Sequence, residues 1–543
     1  MKYIRMINFI PELLFPIILY AETHYKFKGI YSRLYKKEPE IIADAPFRVE
    51  PGQPVPILLL VKDGHRFPVI FDSVTIKLKT KTGEEFSKNY QINTRIENQK
   101  YWHRIIYFEP QKDLRGLVQF DVEFKINVAG KIKIYRNDNY RISSHCPLDV
   151  LLTDEPLPRF ENWYYGDFHY HSSYTEDQVE FGAPLEATAQ IARALGLNFF
   201  AVTDHSYDLD DREDSFIEND SKIPKWFKMR KEVDHLNANL ENFVVLPGEE
   251  VSAGNCRNRN VHLLIINNKH FFPGKGDSAE QWLKTKPCLS IDQILEKLNH
   301  QAIAIAGHPE MKVPFLQRLL IRRGKWQWQD YLSSRLEGFQ VWNGELDETF
   351  RNGTGTWIKL LLAGKKLNLI AGNDAHGNFN RFRQIGFPFF TFRELSSQIF
   401  GNMRTGVKVG NKFNQSNLID EVKNRHILVT NGPIVELSLR NENGDLANIG
   451  DEIQGKQFDL LIKAKSTSEF GKIKFVKSFV GDLTKKEEIE YQIIKQFETP
   501  YFFKFNRQLS RLPKNAYLRL EVFAEKKNGE LTKCLTNPVW IKS

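Results

Sequence analysis

Nine of the fourteen histidines fall between residues 163 and 377, and six of them stand beside acidic residues at the ends of short apolar runs. The stretch Asp167-Phe168-His169-Tyr170-His171 sets two imidazoles two residues apart. On an extended strand such a pair points the same way and can grip one metal ion. Asp177 follows six residues later. The run 198–203 ends in Asp204-His205, 243–246 leads into Glu249-Glu250, His262 enters 261–266, 302–306 ends before His308, and 367–371 ends before Asp374 and His376. Six imidazoles and three carboxylates exceed what one ion needs. They would serve two or three first-row divalent ions, with manganese, iron and zinc all suited to mixed nitrogen and oxygen donors and a carboxylate such as Glu250 bridging two of them.

These residues need elements that bring them together. After a proline-interrupted connection at 153–158, short apolar runs at 198–203, 243–246, 261–266, 302–306, 338–341 and 367–371 predict strands buried on both faces. Helices are predicted between them: 185–195, entered at Pro184 and stopped by Gly196, then 291–298 after the cap Ser290, and 357–363. Such an alternation implies a parallel sheet. If it closes into a barrel, the C-terminal strand ends converge on one mouth, where scattered ligands meet.

The order H-x-H, Asp, T-D-H, G-x-E, His, G-H-P and D-A-H resembles the polymerase and histidinol phosphatase (PHP) superfamily over residues 163–395. The resemblance implies a distorted (β/α)7 barrel with a trinuclear metal centre that hydrolyses phosphoesters through an activated water. It assigns His169, His171, Glu250 and Asp374 to a first metal, Glu250, His262 and His308 to a second, and Asp177, His205 and His376 to a third. Asp177 stands where the superfamily often has histidine. The segments Val429-Thr430-Asn431-Gly432-Pro433 and Thr536-Asn537-Pro538-Val539-Trp540 look like the carbaryl-hydrolase-like branch, for which a carbamate, ester or amide is the alternative substrate. His308 and Asp204 are the candidate catalytic proton-transfer or ligand-orienting groups. Arg257, Arg259, Arg381 and Arg383 could clamp an anionic substrate through forked hydrogen bonds, and Asn343 could face the mouth. The basic group Arg318, Arg322, Arg323 and Lys325 reads as a solvated face first and a docking patch second.

The flanks have a different texture. An N-terminal segment, 1–44, precedes short alternating runs with turn signals over 45–152, and similar runs return over 425–543, each predicting a β-sandwich-like domain. Three domains suit a chain of 543 residues. A binding protein whose sandwiches do the work around a structural barrel is the rival from another class. The formal charge of +9 could suggest a polyanion partner, but 151–400 holds 28 basic against 33 acidic residues, which leaves the excess of 48 over 34 in the flanks. No run of five like charges marks a nucleic-acid tail, so a small-molecule ester is the expected partner, and nothing in the sequence sets the oligomeric state. The four cysteines form no C-x-x-C pair, which suits a reducing, cytoplasmic setting. Export is the alternative, since residues 1–21 have the outline of a signal peptide interrupted by Pro11, Glu12 and Pro16. The longest clean apolar run there, 13–20, is far short of the roughly 20 residues a membrane-spanning helix needs. No phosphate loop, G-x-S-x-G elbow or H-E-x-x-H helix is present.

Overall fold

A computed structural model of the chain describes residues 38–139, 145–176, 182–213, 215, 218–276, 278, 284–381, 384–386, 391–393, 398–483, 486–493, 499–510, 512–513 and 515–542. Most of the 1–44 segment, and with it the candidate signal, lies outside them, as do Asp177 and Arg383.

The expected (β/α)7 barrel is overturned. Strand accounts for 45% of the structure and helix for 15%, where a repeating strand–helix unit would make helix the larger share. The first three strands of the middle region, Trp163–His171, Phe199–Val202 and Val244–Gly254, are parallel. The next, Asn260–Ile266, returns antiparallel through a hairpin with no crossover helix, and Ile303–Ala306 runs antiparallel to it in turn. Gly338–Asn343 and Asn368–Gly372 complete the series in parallel. A hairpin of this kind needs only a tight turn, and Asn258, at φ 53°, supplies the left-handed residue between the two strands. Nor does the sheet stop at the middle region. Trp163–His171 also pairs antiparallel with Arg404–Lys408, which leads through Ile427–Thr430 into the C-terminal strands, making one mixed sheet of sixteen strands. The two-residue strand Ala375–His376 pairs with the end of Trp163–His171, setting His376 opposite His171.

Local sequence explains the helices that form. Leu185–Ala194 follows Pro184, buries Leu185, Ala189, Ile191 and Ala192, and is left through Gly196 at φ 87°. Ser290 and Gln293 form a reciprocal capping box at the start of Ile291–Glu296. The helix expected at 357–363 begins nine residues earlier, at Glu348, because the Asp347 side chain accepts a 2.9 Å hydrogen bond from the Phe350 amide. Its Gly353 looks like a helix breaker in sequence. In the fold, a Cβ there would lie 3.1 Å from the Val341 carbonyl, so the small residue lets the helix seat closely on its strand.

In the N-terminal region, a three-stranded sheet (Glu40–Asp44, Val55–Lys62, Tyr101–Phe108) and a six-stranded one built around Gly116–Val128 and Val69–Thr80 share one core through Ile57, Val74, Phe71 and Phe120. In the C-terminal region a four-stranded sheet centred on Ile434–Asn441 and Gln457–Lys465 accompanies the extension of the large sheet. Buried Arg48 ties the three regions together: its guanidinium donates to Glu50, to Glu469 and to the Leu195 carbonyl. Among the described residues no helix is long and apolar enough to cross a membrane.

Candidate metal centre

The strand ends bring eight of the candidate ligands into one buried cluster. Three overlapping groups have ligand atoms mutually within 4.8 Å: His169, His171, Glu250 and Asp374; Glu250, His262 and His308; and His171, His205 and His376. Glu250 joins the first two groups and His171 joins the first and third. Glu250 Oε1 lies 3.4 Å from His169 Nε2 and 3.2 Å from His308 Nε2; Oε2 lies 2.8 Å from His205 Nδ1 and 3.5 Å from His171 Nε2. His262 Nδ1 also approaches Oε1. Asp374 Oδ1 lies 3.2 and 3.1 Å from the Nε2 atoms of His169 and His171.

The hairpin that breaks the parallel order is what delivers the second group. Its register sets Ser252 opposite His262 and Glu250 opposite Leu264, so Glu250 and His262 are diagonal neighbours on one face of the sheet. Glu249 points to the other face, where it accepts a hydrogen bond from the Phe272 amide. Two ligand residues hold left-handed backbone conformations, His308 at φ 24° and Asp374 at φ 52°. Strain of this kind persists only where the surroundings over-determine it, and it gathers at functional sites.

Three buried polar residues brace these ligands, and none was singled out from sequence. Gln340 Oε1 accepts from the His308 amide at 2.9 Å and lies 3.0 Å from His169 Nδ1. A proton on Nδ1 facing Gln340 leaves Nε2 as the ring nitrogen that faces Glu250 and Asp374. Asp167 accepts from the amides of His169 and Asn373 and from the Asn373 side chain, clamping the H-x-H strand to the segment that carries Asp374. Thr175 Oγ1 lies 3.3 Å from His171 Nδ1 and accepts from the His205 amide. Gly372 completes the fit: a Cβ there would lie 2.6 Å from that of His169. The readable signals were a glutamine inside the buried run 338–341 and an aspartate opening the H-x-H motif.

Electrostatics fit a cation at the centre. Burial alone would raise the Glu250 carboxyl, but His262 and His169 hold it well below the usual carboxylate range. Asp374 is likewise held low against its burial, chiefly by His169. Burial pushes His171 down to about 4, aided by His205, and lowers His205 and His308 as well. These three imidazoles are therefore neutral at pH 7, the state a metal ligand requires. His169 is the exception: against its burial, Asp374 and Glu250 raise it to about 10. Glu250 Oε2 and His205 Nδ1 meet at 2.8 Å and are both buried. A carboxylate oxygen beside an imidazole nitrogen is a donor pair that suits a divalent ion.

Other sequence candidates lie elsewhere. Asp204, assigned to proton transfer or to orienting His205, accepts instead from the Ser172 hydroxyl and amide and the Thr175 amide, and burial raises it to about 6. It shapes the loop after the H-x-H strand. Arg381 is buried where Asp44 and Asp138 act on its charge, in the N-terminal region, and is no substrate clamp. Arg257 is exposed on the hairpin turn, and Arg259 donates to the Arg318 carbonyl. Asn343 accepts from Gln340 at 3.3 Å, behind the ligands. The arginine that does reach the cluster is Arg323, whose guanidinium lies against the His262 ring. It had been grouped with a solvated face, because no local pattern announces a contact with a residue 61 positions away.

Two measurements check this arrangement. Replacing Gln340 with alanine should weaken metal affinity about 10- to 100-fold in a competition titration with a chelating dye, while the fold is kept; unchanged affinity would remove Gln340 from the centre. Since His169 is protonated in the metal-free protein at pH 7 and a ligand must be neutral, metal uptake should release about one proton from it. Calorimetric titration with zinc in two buffers of different ionisation enthalpy reads that proton, and His169→Gln should abolish the difference between buffers.

No family model matches the sequence, and no curated protein matches it. Among solved structures, the chain is similar to a glycosyl hydrolase family 2 member from Bacteroides cellulosilyticus (8% identity, TM-score 0.17, 93% of this chain and 63% of that one). It is also similar to a β-glucuronidase from Parabacteroides merdae (8% identity, TM-score 0.18, 93% and 64%) and to a cycloisomaltooligosaccharide glucanotransferase from Paenibacillus (11% identity, TM-score 0.16, 92% and 71%). The chain thus spans less than two thirds of the length of the first two. Overlaps this slight assign neither fold nor activity, and the chemistry rests on the chain's own residues.

Proposed function

We propose that the chain is a metal-dependent hydrolase, and that its substrate is a phosphoester. The observation that carries this reading is the set of three ligand groups sharing Glu250 and His171. Glu250 and His171, shared between neighbouring groups, would let two or three divalent ions be held side by side and act together on one ester. The order of the ligands along the chain, which resembles the PHP superfamily, supports the same chemistry. Divalent ions held there supply Lewis acidity toward the ester oxygen and lower the pKa of water toward neutrality.

The chain's own residues do the rest. Gln340 and Asp167 hold the imidazoles and Asp374 in place, as described above. Glu250 and Asp374 bring two negative charges into a buried cluster, which favours cations there over any neutral occupant. Arg323 gives the choice of a phosphoester its physical basis: its planar, always-charged fork at the edge of the cluster matches the geometry of a phosphoryl group. An uncharged carbamate or carboxylic ester offers that fork no second anionic oxygen.

Manganese-loaded protein should hydrolyse nitrophenyl phosphate or bis-nitrophenyl phosphate in a chelator-sensitive way. His169→Ala, Glu250→Gln and Asp374→Asn should each lower turnover by about a thousandfold or more and reduce bound metal, with circular dichroism unchanged. Retained turnover in all three would sink the site assignment, and turnover of nitrophenyl acetate alone would sink the phosphoester. Arg323→Leu should raise KM for the phosphoester about tenfold or more while changing KM for an uncharged ester little; equal effects on both substrates would make Arg323 a structural residue.

A further inference from the structure

Between His308, a candidate ligand, and Arg323, on the ring of another, the chain makes an excursion that carries the helix Phe315–Leu320. Both ends are anchored at the metal cluster. At the far end Asn260, the first residue of the strand that bears His262, accepts from the Gly324 amide and donates to the Arg322 and Ile321 carbonyls, through its own amide and its side chain. The helix is therefore tethered on both sides to residues of the cluster. Three of its apolar residues are turned to solvent: Phe315 is 67% exposed, Leu319 65% and Leu320 47%. Three large apolar side chains left in water on one short helix are unusual for a soluble surface and mark a site of contact.

The charges around that helix are mostly basic. Arg318, on the helix itself, Arg322 and Lys325, just after it, and Arg257 and Arg259, on the adjoining hairpin, form no ion pair among the described residues. Lys312 pairs with Glu348 at the outer root of the excursion. Apolar side chains flanked by unpaired lysine and arginine are the combination that enters the interface of an anionic bilayer: the apolar groups reach the acyl boundary and the basic ones meet the headgroups. A protein partner of ordinary surface composition would not call for so many basic side chains outside ion pairs around so small an apolar tip.

We propose that the excursion around Phe315–Leu320 docks the protein on anionic lipid surfaces and so presents the metal cluster to phosphoesters borne by lipids. The choice of substrate rests on the hydrolase reading above; the docking does not. Charge selectivity follows from the basic flank, and shallow insertion from the three apolar residues.

The test is sedimentation of the full-length, metal-loaded protein with vesicles of phosphatidylcholine alone and of phosphatidylcholine with phosphatidylglycerol, two parts to one. The protein should pellet with the mixed vesicles, far less with the neutral ones, and be released as salt is raised. The variant F315S/L319S/L320S should lose vesicle binding about tenfold or more while keeping its melting temperature, metal content and turnover of nitrophenyl phosphate. R318Q/K325Q should lose the preference for anionic vesicles. Failure of the wild type to bind mixed vesicles, or unaltered binding by the serine variant, overturns the docking. So does a wild-type oligomer in light scattering that the serine variant dissolves, since the face would then belong to a second copy of the chain. Vesicle binding is read without substrate, so a protein that binds vesicles yet hydrolyses no phosphoester would refute the hydrolase reading and leave the docking standing.

Discussion

The carboxylate of Glu250 lies at the centre of five imidazoles, those of His169, His171, His205, His262 and His308, and is itself fully buried. An isolated carboxylate so far from water would protonate rather than stay charged, because its desolvation is far too costly to bear unpaired. Here the surrounding nitrogens hold it ionised. Every other feature of the centre serves that cluster. Asp167 locks two strands in register beneath it, Gln340 orients the His169 ring and accepts from the His308 backbone amide, and Gly372 gives His169 room to lie against its neighbouring strand. Such a network is stable only when each member is satisfied, so loss of one brace should be felt at ligands that it does not touch.

The antiparallel hairpin Val244–Gly254 to Asn260–Ile266 explains both what could be foreseen and what could not. The gathering of these residues was legible because histidines beside acidic residues at the ends of apolar runs are chemically conspicuous, and eight of those positions do converge. Strand direction was not legible. A run such as 261–266 is apolar on both faces whichever way it is threaded, and periodicity carries no information about the sign of pairing. Reading each run as one member of a parallel series therefore produced a barrel where the chain forms a mixed sheet continuous with its C-terminal region. The misplaced arginines failed for a related reason. Arg381 stands five residues from His376 in sequence, yet it is drawn toward Asp44 and Asp138, more than 240 positions away. Arg323 comes to His262 through the fold alone.

The same hairpin links the buried chemistry to the surface. Its turn carries Arg257 and Arg259, its second strand begins at Asn260, and Asn260 fastens the returning end of the excursion that bears Phe315–Leu320. Residues 250 to 262 therefore supply a shared carboxylate, an imidazole and the anchor of an exposed apolar helix within one supersecondary unit. A displacement of the helix would be transmitted first to Arg322 and Arg323, and from there to the His262 ring, with no need for a longer path.

That coupling bears on how such a centre could discriminate among esters. The ligands form a rigid floor of strand ends, braced from behind, and a floor of that kind cannot reshape itself around different substrates. Selectivity would then come from what borders it, and the His262 side is joined to a segment of opposite character: a six-residue helix with Phe315, Leu319 and Leu320 exposed, tied to the cluster through Arg323 and Asn260. Under the proposed function, a braced set of strand-end residues joined to an exposed amphipathic helix separates the requirement for catalysis from the requirement for recognition. The first would rest on Glu250, Asp374 and the six histidines. The second could change through Phe315, Leu319 and Leu320 without disturbing a single ligand.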